Sequence, residues 1–118
     1  MRHHNTNRKL GRERGQRRAL LKSLIKNLVL KESIKTTEAK AKELRKFIEP
    51  IVTKAKNDTL SNRRLVASKV YNDKKVVEKL FGEIGPLFAK RAGGYTQILK
   101  LPPRKSDGSK MAIIQFVK

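Results

Sequence analysis

Apolar residues return along the chain in blocks, and the spacing within each block names the element it builds. Leu20, Leu21, Leu24, Ile25, Leu28 and Val29 recur so that, at about 100° per residue, they fill roughly half of a helical wheel. This predicts a helix beginning at Gln16 with one buried face, while Arg18, Lys22 and Lys26 run along its edge and back. The stretch SIKTT that follows, residues 33–37, is short and rich in β-branched side chains and reads as a strand. Thr36 or Thr37 can then cap a second helix, with Glu38 placed in its first turn against the positive end of the helix dipole. Its apolar stripe is Leu44, Phe47, Ile48, Ile51, Val52 and Ala55. Pro50 falls inside that stripe, where it removes a backbone donor and crowds the preceding turn, so a kink or break is expected near Ile48.

Asn57, Asp58 and Thr59 mark a turn, and LSNRRLVASKVY beyond it is a weaker helical pattern with Leu65, Val66 and Val70 inward and Arg63, Arg64 and Lys69 outward. Asp73 opens a fourth helix with Val76, Val77, Leu80, Phe81 and Ile84 on one face, which Gly85 and Pro86 are expected to end. The tail changes period. Gly93 and Gly94 precede a strand over 95–101, a second strand covers 111–117, and the polar segment between them contains Asp107 and Gly108. That is the pattern of an antiparallel hairpin with a long basic tip. With 33–37 the strands number three, so the expected fold class is α+β, a two-layer arrangement with helices on one face of a small sheet.

The amino-terminal end has no such pattern. Its first 18 residues hold seven Lys and Arg, one acid and only Met1 and Leu10 as apolar side chains, a local net charge of +6. The expected organisation is therefore a basic arm over residues 1–15 and a single domain over 16–118. The imbalance extends to the whole chain: 118 residues carry 30 Lys and Arg against 10 Asp and Glu, a formal net charge of +20. A field of that size on a small body calls for a polyanion, and nucleic acids are the abundant ones. No apolar run approaches the roughly 20 residues needed to span a bilayer, and the amino terminus is too hydrophilic for a signal peptide, so a cytosolic chain without a membrane partner is expected.

Reaction chemistry finds little to stand on. Cysteine is absent, which removes disulfides, thiolate catalysis and cysteine-based zinc sites. Glu38, Glu43 and Glu49 lie five and six residues apart, so no pair has the i, i+3 or i, i+4 spacing that brings two carboxylates together on a helix face. His3 and His4 sit together in the arm without a third ligand, and contact with RNA suits them better than a metal. Gly93-Gly94 lacks the Lys-Ser or Lys-Thr of a phosphate loop and reads as backbone freedom at a strand entrance. No enzyme activity, cofactor, metal or small-molecule substrate is expected.

What remains is a multipoint cationic surface. Its candidate RNA contacts are Arg2, Arg8, Lys9, Arg12, Arg14, Arg17 and Arg18 from the arm and first helix, Lys35, Lys40, Lys42 and Arg45, then Arg63 and Arg64, and Arg91, Arg104 and Lys105 toward the end; His3 and Tyr95 complete the set. Guanidinium forks suit phosphate oxygens and base faces. With six aromatic residues the chain offers little stacking platform, and a folded RNA with crevices fits a long arm and a basic hairpin tip better than uniform duplex DNA does. An architectural DNA-binding protein is the alternative.

The opening MRHHNTNRKLGR, the run IKTTEAKAKELR continuing into EPIVTKAK, and the tail RAGGYTQILKLPPR followed by MAIIQFV resemble, in order and spacing, the family of bacterial large-subunit ribosomal protein number seventeen. The resemblance is most specific at Ile34, Thr36, Thr37, Lys40, Ala41 and Lys42, at Glu49, Ile51, Val52, Thr53, Ala55 and Lys56, and at Gly93-Gly94-Tyr95-Thr96. It implies a two-layer fold with a small mixed sheet and a structural, non-enzymatic component of the large subunit. It further implies binding to 23S ribosomal RNA among neighbouring large-subunit proteins, near the exit of the peptide tunnel, in the cytoplasmic ribosome and not as a homo-oligomer.

Overall fold

The computed structural model describes residues 14–117. The first helix, α1 (Arg14–Lys31), starts slightly before the expected boundary and buries Leu21, Ile25, Leu28 and Val29. It stops at Glu32, which adopts a left-handed φ of 65° while its N–H closes on the Leu28 carbonyl at 2.6 Å. That single left-handed residue turns the chain into β1 (Ser33–Thr37), and Phe116 N–H donates to the Glu32 carbonyl to fix the turn to the sheet.

Thr37 is the cap of α2 (Glu38–Ala55), its hydroxyl accepting the Lys40 N–H. The helix runs through Pro50 without the break expected near Ile48. The proline is exposed, and Ile48, Ile51 and Val52 on either side of it are buried, so core packing holds the helix across the missing hydrogen bond. One position of the expected stripe differs, and one residue outside it is buried. Phe47 is 39% exposed, and Glu43 is 1% exposed with Lys46 Nζ 3.7 Å away; nothing in the periodicity marks Glu43 for burial.

Thr59 caps α3 (Leu60–Lys69), which buries Val66; the following Val70 is buried too, whereas Leu65 points outward. Asp73 caps α4 (Lys74–Lys79) through the N–H groups of Lys75 and Val76. Gly85 and Pro86 do not end this run as expected. It widens into a π-helical turn, Leu80–Ile84, and closes as α5 (Gly85–Leu87), with Pro86 tolerated because it lies in the first turn of that short helix. Gly85 earns its place by proximity: a Cβ built there would stand 2.3 Å from the Ala55 carbonyl oxygen.

β2 (Thr96–Leu101) and β3 (Met111–Phe116) form the hairpin, and the sheet order is β1-β3-β2. Both pairings are antiparallel, so the mixed sheet implied by the resemblance is corrected to a purely antiparallel one. The register aligns Ile34 and Ile98 with Ile114, and Thr36 and Lys100 with Ala112, on the face toward α2. Ile25, Leu44, Ile48, Val76, Leu80 and Ile114 meet in one core beneath it. The α+β class with helices on one face of a three-stranded sheet is the observed architecture.

Candidate nucleic-acid interface

The expected contacts in the arm, Arg2, His3, Arg8, Lys9 and Arg12, lie outside the described residues, and Arg14 enters only as the first residue of α1. The remaining candidates fall at separate places. Arg18 is exposed and Arg17 half-buried on α1; Lys35 is exposed on β1, on the sheet face away from α2.

The amino-terminal end of α2 meets the hairpin. Glu38 N–H donates to the Lys110 carbonyl at 2.9 Å, and Thr37, Glu38, Ala39, Lys42, Ser109 and Lys110 line a cleft of about 490 Å³. Lys42 pairs with Glu38 at 2.9 Å and Lys100 approaches the same carboxylate at 4.0 Å. The Lys42 hydrogen bond, with the charges of Lys42, Lys100 and Lys110, holds the Glu38 carboxyl below its ordinary value. One carboxylate thus faces three ammonium groups, leaving a positive excess at this end. Lys40 is half-buried nearby on the same helix.

At the opposite end of the sheet the two most family-specific stretches come together. Both Glu49 carboxylate oxygens lie 3.1 Å from the Tyr95 N–H, Thr53 Oγ1 and Tyr95 Oη are 3.1 Å apart, and Lys56 Nζ donates to the Arg91 carbonyl at 2.6 Å and to Tyr95 Oη at 3.3 Å. Arg45 donates to the Thr96 carbonyl, and Arg91 Nε to that of Gly94. Gly93 and Gly94 take φ of 95° and 63°, the conformational freedom expected of them. Tyr95, one of the expected contacts, is 1% exposed and stacks at a tilt on Phe88, and in the fold it is a latch joining β2 to α2. Hydrogen bonding from Thr53, then from Lys56, draws its phenol below the usual tyrosine range against the opposing effect of burial.

The hairpin tip divides its bases. Arg104 N–H bonds the Ser109 carbonyl, Gly108 N–H bonds the Arg104 carbonyl, and the Arg104 guanidinium reaches Asp107 at 3.3 Å and Met111 Sδ at 3.3 Å. Arg104 therefore organises the loop, while Lys105 beside it is exposed. On α3, Arg63 forks onto Asp58 and lies 5.1 Å from the Phe81 ring; Arg64 is exposed, and together with Lys74 these arginines line a cleft of about 250 Å³ against α4.

A family model described as ribosomal protein L17 matches residues 20–117. The chain belongs to the ribosomal protein L17 family. It is accordingly a structural constituent of the large ribosomal subunit, and the match spans the folded body from α1 to β3. The L17 fold here also positions cations that the candidate set omits. Lys110 and Lys74 line the two clefts, and Lys56 belongs to the latch. Their sequence signal is weak, because a lysine before a strand or at a helix start differs little from any solvated lysine; only the tertiary meeting of elements sets these apart.

Proposed function

We propose that the chain binds 23S ribosomal RNA electrostatically, with its folded body docked on RNA helices and its basic arm threaded between them, and that it performs no reaction of its own. The observation that carries this reading is the unequal use of the two signs of charge. Glu49 holds the Tyr95 amide, Asp73 caps α4, Asp107 shapes the hairpin tip and Glu38 is shared between lysines. These four carboxylates serve the fold, while Arg18, Lys35, Arg64 and Lys105 stay exposed. Such a surface lowers the repulsion between RNA segments that must pack together. Family membership supports a place in the cytoplasmic ribosome beside other large-subunit proteins, and the resemblance to the bacterial family supports a position near the tunnel exit.

The test is binding of the full chain to a 23S RNA transcript across a salt series, with duplex DNA as competitor. Log affinity is expected to fall by about 0.7–0.9 per phosphate neutralised for each unit of log salt. RNA should displace the protein from DNA, and a flat salt response or equal competition by duplex DNA refutes the reading.

A further inference from the structure

The corner between α3 and α4 holds a tyrosine where glycine fits best. α3 ends in a Schellman arrangement, with Asn72 N–H donating to the Ala67 carbonyl at 2.8 Å, and Tyr71 and Asn72 take left-handed φ of 57° and 56°. Glycine is the usual occupant of the position Tyr71 fills, since a Cβ is penalised in that conformation, and bulky side chains are rare there. The fold alone would be served as well by a smaller residue.

The ring is also presented outward. Tyr71 is 60% exposed, and Lys22 Nζ from α1 stands 4.1 Å from the ring centroid, so the ammonium covers one face and leaves the other open. Asn72, its neighbour, lines the cleft that also carries Arg63, Arg64 and Lys74. Of the carboxylates nearby, Asp73 binds Lys26 at 3.0 Å and caps α4, while Glu78 is exposed on the cleft wall, where Arg63, Arg64 and Lys74 outnumber it. An open aromatic face bordered by cations suits a planar ring bearing phosphates better than an apolar protein surface.

We propose that Tyr71 is a stacking platform for one unpaired RNA base, with Lys22 against the opposite face and Arg64 and Lys74 receiving the flanking phosphates. The inference rests on the RNA-binding reading above and adds to it a single-stranded nucleotide at a defined corner. Stacking is tolerant of base identity, so the site selects an unpaired nucleotide rather than a sequence.

The full chain and its Tyr71→Ala, Tyr71→Phe, Tyr71→Gly and Lys74→Ala variants are compared in binding to a 23S RNA transcript over a salt series, alongside thermal melts. Tyr71→Ala and Tyr71→Gly are expected to weaken binding about fivefold to a hundredfold without changing the salt slope, because a ring and not a phosphate contact is lost. Tyr71→Phe should bind like the parent, and Lys74→Ala should lower the slope by about one phosphate's share. Tyr71→Gly should melt no lower than the parent. Parent-like binding by Tyr71→Ala, equal weakness of Tyr71→Phe, or a large melting loss in Tyr71→Gly overturns the platform. A parent that lacks salt-dependent RNA affinity overturns the RNA-binding reading itself, which separates the two failures.

Discussion

Gly85 and Gly82 are three residues apart and have opposite demands on space. A Cβ at Gly85 would stand 2.3 Å from the Ala55 carbonyl oxygen and 3.1 Å from that of Leu80, both backbone atoms, whereas one at Gly82 meets nothing within 4 Å. Gly85→Ala should therefore destabilise the protein by about 2–3 kcal/mol, as overpacking does. Gly82→Ala, on the exposed side of the same turn, should stabilise it by about 0.5–1 kcal/mol through reduced backbone freedom in the unfolded chain. Paired thermal or urea melts check both signs. At this scale the sequence displays residue types without their surroundings. Gly85 reads as a helix end although it sits inside a continuing run, and Tyr95 reads as an RNA contact at a strand entrance although Glu49, Thr53 and Lys56, some forty residues away, bind its amide and hydroxyl.

Helix starts carry the acid sensitivity of the fold. Asp73 is held below its ordinary value of 3.8, first by the hydrogen bond to Lys26, helped by the Val76 and Lys75 amides; Glu38, Asp58 and Asp107 shift the same way through Lys42, Arg63 and Ser109. A lowered folded-state value means that each carboxylate contributes fully above its unfolded pKa, and that the contribution is lost as pH falls through the folded one. The melting temperature should thus be level from neutrality to about pH 5 and fall below about pH 4. Asp73→Asn should melt lower than the parent at neutral pH, with the gap narrowing in acid. The caps Thr37 and Asp73 were legible, because each acts within three residues of itself, whereas Thr59, which caps α3, reads from sequence only as part of a turn. The apolar faces of α1 and α4 were legible too. Continuity through Pro50 and Gly85 was not, since local preference there yields to packing between α2 and the turn at 80–84.

Across the whole molecule, charge and fold divide the labour. The first 18 residues, the arm and the start of α1, hold seven of the chain's basic residues but only two apolar ones. Replacing Arg8, Lys9 and Arg12 with Ala should weaken RNA binding and flatten the salt slope by about 2, leaving the melting temperature unchanged; filter binding beside calorimetry tests both halves. The class of the fold was readable from periodicity, a summed property, and net charge, another, is what motivates the proposed RNA partner. The strand order was not readable, because register and neighbourhood are settled by contacts between distant segments. That order has a consequence for biosynthesis. Among the described strands, β1 and β2 each pair with β3 and not with one another, and β3 is the last of the three to be translated. A nascent polypeptide halted before Met111 would hold two strands without their shared neighbour, so the sheet closes only once β3 has been made.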